Sequence, residues 1–269
     1  MIPIRDANPT LRRPWVTMVL IAANVAVFLL WQPTFAGEAE QQAFFFCHAQ
    51  IPWEVSNQQN LAQGGVPARE ALDASFGAGA GSAIQPYLQR TCPGKGWLAS
   101  AFVSMFLHGG WLHIAGNMLF LWVFGNNVED RLGRVGFVLF YVVGGLAAML
   151  LHLAFEPSSA IPTVGASGAI AAVLGAYLVL FPHARITTLV FFFIITWIEL
   201  PASVVLVAWF VFQVLSGVGR LASGLSGGVA YWAHVGGFAF GAAAAWLLFR
   251  GRRPPTAHPA LPPRPDVYG

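Results

Sequence analysis

The chain has 269 residues, of which 57% are hydrophobic and only 9% charged, against about 25% charged in an average soluble domain. Together with a mean hydropathy of +0.63, this excludes an ordinary soluble domain and predicts an all-α polytopic membrane protein. The net charge of +3 comes from basic residues scattered singly, without a binding motif, so no nucleic-acid partner is expected.

Residues 1–13 read as a short cytoplasmic lead without an obvious site. The first apolar run, 14–31, lacks a small-residue cleavage site after a short core and so reads as a retained span rather than a signal peptide. Residues 32–110 form one long outer loop, with a polar, glycine-rich middle around 64–81 and no expected core of its own. Its two cysteines, Cys47 and Cys92, form an even pair compatible with a disulfide in an oxidising compartment; two free thiols packed on the loop's apolar face are the alternative. Residues 97–107 are apolar but are punctuated by Gly109-Gly110, which suggests an element dipping into the outer interface.

Five further runs, 111–128, 135–155, 166–181, 201–217 and 229–249, complete a count of six spans. The apolar stretch 186–200 could be a seventh span, but it is short and interrupted at Glu199 and Pro201, so a cytoplasmic interfacial segment is the better reading. The membrane domain thus covers 14–250, and the proline-rich tail 251–269 is expected to be disordered. With both termini inside, Arg5, Arg12, Arg13, Arg131, Arg134, Arg185, Arg250, Arg252, Arg253 and Arg264 are cytoplasmic, and only Arg69, Arg90, Lys95 and Arg220 are outside.

The polar residues inside these runs carry the chemistry, because an unsatisfied polar group facing lipid is costly. His113 and Asn117 lie one turn apart near the outer end of the second span, Ser167 opens the fourth, and His234 lies near the outer end of the sixth. On a six-span count all of them share one depth. Ser167, between Ala166 and Gly168, falls at a helix start where backbone N–H groups lack partners and can receive an oxyanion. His234 would satisfy that hydroxyl and make it a better nucleophile. His113 and Asn117 would donate to the developing charge. Gly165 and Gly168 permit close approach of a substrate backbone or close helix packing against the sixth span, and Gly237 and Gly241, in a G-x-x-x-G, let that span pack tightly. Each piece alone has a plainer reading: a small-residue packing face, a structural or proton-conducting histidine, or an interhelical hydrogen-bond pair.

No Asp or Glu lies between Glu156 and Glu199, so the site reads as a dyad in which packing orients the imidazole. His108 and the Glu129-Asp130-Arg131-x-Gly133 turn read as structural. His48, His152, His183 and His258 have no metal-ligand spacing, and neither a metal nor another cofactor is expected.

Taken together, His113-x-x-x-Asn117, Gly165-x-Ser167-Gly168, Ala233-His234-x-x-Gly237-x-x-x-Gly241 and Glu129-x-Arg131-x-Gly133 resemble the rhomboid intramembrane serine proteases over residues 97–249. The short lead containing arginine and proline resembles that of bacterial members. Some members carry a Trp-Arg pair before the second span; here Trp97 is followed by Leu98. The resemblance implies a six-helix rhomboid-like bundle in a bacterial plasma membrane, with Ser167 as nucleophile and His234 as base and acid. It implies His113, Asn117 and the Ser167 amide as oxyanion donors, and single-span membrane proteins in the bilayer as substrates. A client-binding relative that does not cut, and a small proton-coupled transporter, are the rival readings.

Overall fold

The computed structural model describes residues 2–191, 195–223 and 228–250. The proline-rich tail lies outside the described residues. Most of the chain is helical, and three helices, α8 (Arg134–Phe155), α10 (Ala202–Ser223) and α11 (Tyr231–Phe249), are long and apolar enough to cross a membrane. The shorter apolar helices are α1, which starts at Trp15–Ala26 and continues as a π-helical stretch over Val27–Trp31, and α9 (Ser167–Leu180). α7 (Trp111–Leu132) is as long as α8, but its sequence is interrupted by His113, Asn117, Asn126 and Asn127.

α9 is the centre of the bundle. Every residue from Ala169 to Tyr177 is buried, which is how a helix that is apolar all round avoids exposure. It packs against α7, α8, α10 and α11, its most extensive interface being with α11. Its 14 residues give a length of about 21 Å, short of the ~30 Å of a bilayer core. The start of α9 is therefore free to lie below a membrane surface.

The described residues of the N-terminal lead and the interfacial segment are not helical. β1 (Ile2–Asp6) pairs antiparallel with β2 (Arg185–Phe191), and β2 pairs antiparallel with β3 (Ile195–Pro201), which leads directly into α10. Thr187, Thr188 and Ile186 are β-branched residues suited to such a sheet. The lead also has a definite task, since Asp6 Oδ2 accepts hydrogen bonds from Tyr177 OH (2.6 Å) and Asn127 Nδ2 (2.5 Å), tying the sheet to α9 and α7. Burial pushes the Asp6 carboxyl above the usual carboxylate range against the lowering effect of these donors. At the same end of the bundle, the Glu129 carboxylate accepts from Val16 N–H (3.0 Å), Thr17 N–H (2.7 Å) and Thr17 Oγ (2.8 Å), satisfying the open donors at the start of α1.

The outer loop folds into α2 (Glu38–His48), α3 (Pro52–Asn57), α4 (Gly65–Phe76), α5 (Ala80–Thr91) and α6 (Trp97–Ser104). The expectation that it has no core does not hold. Phe46, Ile51, Trp53, Leu61, Leu72 and Leu88 form a second buried cluster, separate from the main one. Within it Lys95 Nζ sits 2.6 Å from Glu54 Oε2 and donates to the Phe46 carbonyl (2.8 Å). Burial raises the Glu54 carboxyl and lowers the Lys95 ammonium, each opposed by the partner's charge. Cys47 and Cys92 are paired, with Cα atoms 5.5 Å apart, and join the end of α2 to the end of α5.

This outer unit grips the segment that enters α9. Trp53 N–H donates to the Ser159 carbonyl (3.0 Å), Ala160 N–H to Ser75 Oγ (2.9 Å) and Thr163 N–H to the Gln50 carbonyl (2.8 Å), while Ala160 is buried in the outer cluster. Three residues separate Thr163 from Ser167.

Loss of the cysteine pair should therefore be felt at two places. The 45-residue separation corresponds to about 4 kcal/mol of unfolded-state restriction in the chain-entropy model. Cys47→Ser or Cys92→Ser should abolish a mobility shift between reducing and nonreducing gels, lower the melting temperature and increase proteolytic nicking between residues 32 and 96. An unchanged gel pattern in both variants would show that the pair does not form in the purified protein.

Candidate active site

Three helix ends meet at one cavity of about 550 Å³, lined by His113 and Asn117 of α7, Ser167 of α9, Trp209 and Gln213 of α10, and His234 of α11. The α9 and α11 axes are drawn together by missing side chains. A Cβ at Gly237 would overlap the Gly168 carbonyl, one at Gly241 the Ala172 carbonyl, and one at Gly175 the Phe238 carbonyl. Gly168 has a further neighbour, since a Cβ there would come within 2.7 Å of Ala148 Cβ on α8. With the backbones in contact, His234 Nε2 lies 2.8 Å from Ser167 Oγ.

Gly165 does not pack between helices, contrary to the expectation for it. It precedes α9 with φ +126°, a conformation that L side chains rarely adopt, and a Cβ there would lie 2.8 Å from His113 Nε2 and 3.3 Å from Ser167 Oγ. Its N–H donates to the Ser104 carbonyl (2.9 Å) at the end of α6. The glycine thus makes room for the His113 ring next to the Ser167 hydroxyl.

The orientation of His113 follows from its own turn. Gly109 N–H donates to His113 Nδ1 (3.2 Å), so Nδ1 is the acceptor and the neutral ring carries its proton on Nε2, the nitrogen beside Gly165. The turn is clamped from α1: Gln32 Nε2 donates to the His108 carbonyl (2.6 Å), and His108 N–H donates to Gln32 Oε1 (3.0 Å). Asn117, one turn further along α7, is 8% exposed, and its Nδ2 is buried without a hydrogen-bond partner. His113 Nε2 therefore lies beside the start of α9, whose first backbone N–H groups lack intrahelical acceptors, and Asn117 lines the same cavity.

His234 has a second partner that the sequence did not reveal. Its Nδ1 lies 2.8 Å from Gln213 Oε1, and the Trp209 ring, one turn earlier on α10, lies 5.8 Å from the imidazole. A glutamine within an apolar run carries no mark of its partner in the sequence; the signal lay in the same argument that singled out His113 and Asn117. Among the described residues no group of three or more His, Cys, Asp or Glu side chains is placed to hold a metal ion.

A family model of the Rhomboid domain matches residues 95–251, more than half of the chain. The chain belongs to the rhomboid family. It is 34% identical over 152 residues to Rhomboid protein 1, mitochondrial, of Saccharomyces cerevisiae, a match spanning 54% of this chain and 40% of the yeast protein. It is 24% identical over 185 residues to RHOMBOID-like protein 5 of Arabidopsis thaliana, across 65% of this chain and 56% of that one. It is 42% identical over 72 residues to the rhomboid protease GluP of Bacillus subtilis, across 27% of this chain and 14% of the relative. The chain thus spans little more than half, or less, of these relatives. They come from a yeast, a plant and a bacterium, and so do not assign this rhomboid protein to a bacterial branch.

The rhomboid match includes every residue of the cavity named above. An imidazole nitrogen within hydrogen-bond reach of a hydroxyl, with unpaired donors alongside, is the arrangement that nucleophilic acyl transfer requires. The Gly165 position gives a sharp test of this geometry. Gly165→Ala should displace the His113 ring or the Ser167 hydroxyl and lower any serine-dependent turnover at least about tenfold, whereas Gly219→Ala, exposed on α10 away from the cavity lining and with nothing within 4 Å of an added Cβ, should not. Equal turnover in the two variants would show that the close approach at Gly165 is not needed.

Proposed function

We propose that this rhomboid protein is an intramembrane serine endopeptidase that cleaves single-span membrane proteins through a Ser167–His234 dyad. The observation that carries this reading is the 2.8 Å contact between His234 Nε2 and Ser167 Oγ at the start of a buried helix. Ser167 Oγ attacks the scissile carbonyl carbon while His234 Nε2 takes the hydroxyl proton. The tetrahedral oxyanion is received by His113 Nε2–H, Asn117 Nδ2–H and the Ser167 backbone N–H. Collapse breaks the C–N bond as His234 returns the proton to the leaving amine, and water then releases the acyl group by the same steps in reverse roles.

The substrate class follows from where this serine lies. Peptide bonds reach a hydroxyl set between helices by entering from the bilayer or dipping in from its outer edge. They must also leave their helix first, because intrahelical hydrogen bonding shields the carbonyl. Cleavage therefore falls near the outer end of a substrate helix, favoured by small residues at the cut and by Gly or Pro nearby. The accompanying topology has six spans and both termini on the cytoplasmic side of a bacterial plasma membrane. The arginine distribution and the placement of the Cys47–Cys92 pair in the outer unit support this orientation.

The test uses purified protein in liposomes with a model single-span substrate. Ser167→Ala and His234→Ala should be inactive while remaining folded, and a fluorophosphonate probe should label the parent protein and not Ser167→Ala. Asn117→Ala should lower kcat by about two orders of magnitude with little change in KM. Replacing helix-weakening Gly or Pro in the substrate by Leu should slow cutting. Full proteolysis by Ser167→Ala removes the assignment, and a folded parent protein that binds the substrate without cutting it or reacting with the probe favours a client-binding role.

A further inference from the structure

Resting on the protease reading, the geometry points to Gln213 as the residue that positions the base, taking the place that a carboxylate would hold in a triad. A neutral imidazole carries one N–H. For Nε2 to accept the Ser167 hydroxyl proton, that N–H must be on Nδ1, and Nδ1 therefore needs an acceptor. Gln213 Oε1 lies 2.8 Å from it. The two ring nitrogens are then both engaged, one by Ser167 and one by Gln213, which leaves neither for Glu156, although that carboxylate lines the same cavity.

The environment of Gln213 supports the assignment. The residue is 5% exposed, on the face of α10 that also buries Val205, Leu206 and Gly217. A carboxylate so placed would bear a large desolvation cost, whereas an amide supplies the acceptor without a charge. When Nε2 takes the proton, the ring becomes an imidazolium and its Nδ1–H···O bond becomes charge-assisted, roughly twice as strong as the neutral one. The bond to Gln213 is therefore stronger in the transition state than before it, which is the condition for raising kcat rather than tightening binding. Trp209, one turn away, restricts the ring from its face. Both contacts come from α10, so the seating of this one helix sets the tautomer and the tilt of the base.

Gln213→Leu and Gln213→Glu separate this role from simple packing. Leu removes the acceptor in a residue well suited to an apolar helix, and Glu, kept in its neutral acid form by the same burial, restores a carbonyl oxygen as acceptor. Gln213→Leu should lower kcat about 10- to 100-fold with KM changed less than about twofold, and should slow fluorophosphonate labelling of Ser167 in proportion. Gln213→Glu should recover most of that loss. In protein carrying 15N-labelled histidine, the His234 resonances of the parent should report a protonated Nδ1 and an unprotonated Nε2, and those of Gln213→Leu a mixture of tautomers. Wild-type kcat in Gln213→Leu, or equally slow Leu and Glu variants with equal melting temperatures, would overturn the inference while leaving the protease reading standing. A parent protein that neither cuts nor reacts with the probe would instead remove the protease reading.

Discussion

The direct contact between the α9 and α11 backbones is the constraint on which the rest of this molecule depends. In lipid there is no aqueous hydrophobic drive to bring two apolar helices together, so association relies on van der Waals packing and on small residues that let main chains touch. Gly175 on α9 and Gly237 and Gly241 on α11 each stand where a Cβ would overlap the opposite chain. α9 is buried along most of its length and α11 along one face, and Ser167 and His234 sit at the adjoining ends of the two helices. The hydroxyl–imidazole hydrogen bond is thus a consequence of packing along the whole interface. It need not itself hold the helices together, which leaves it free to break and reform during a reaction.

The remaining site groups are brought to that contact by connections that would otherwise look incidental. The His113 ring is placed by the Gly109 N–H, the turn containing Gly109 is clamped by Gln32 at the end of α1, and α1 is fixed at its other end by Glu129 of α7. α1 therefore bridges the two ends of α7 and makes that helix a rigid arm. Such rigidity matters for a donor like Asn117 Nδ2, because an amide left unpaired in a buried setting costs about 1–3 kcal/mol. A looser arm would let it turn to a nearby carbonyl and lose its aim.

Residues visible in the sequence were those whose polarity conflicted with their surroundings. Ser167, His234, His113 and Asn117 each stand in an apolar run, and their shared depth could be inferred from the parity of the spans. Gln213 met the same criterion, but no motif or helical spacing on α10 pointed from it to His234. Ile186 to Leu200 was ambiguous because a short apolar run has the same composition in a buried helix and in a strand; the pairing of β1 with β2, a contact across 180 or more positions, decides it. The outer core was hidden for another reason. Ile51, Trp53, Leu61, Leu72 and Leu88 are spread over short helices and the connections between them, too few on any one helix to show a periodic face. Gly165 was legible as a special residue and misread as a packing one, because its backbone angle and its neighbour His113 come from different parts of the chain.

These hidden elements act on the same helix from opposite ends. The outer unit holds residues 159–163, shortly before Ser167, through two backbone–backbone hydrogen bonds, a third from the Ala160 N–H to Ser75 Oγ, and the burial of Ala160. The three-stranded sheet holds the far end of α9 through Asp6 and Tyr177. α9 is too short to reach both surfaces of a bilayer, so its ends cannot be fixed by interfacial anchors of its own. Folded structure on each side must supply that fixation instead. This gives a physical reason for a lead and a loop that carry no chemistry: they hold the serine-bearing end of a short buried helix in register with a neighbour whose histidine must lie within hydrogen-bond reach.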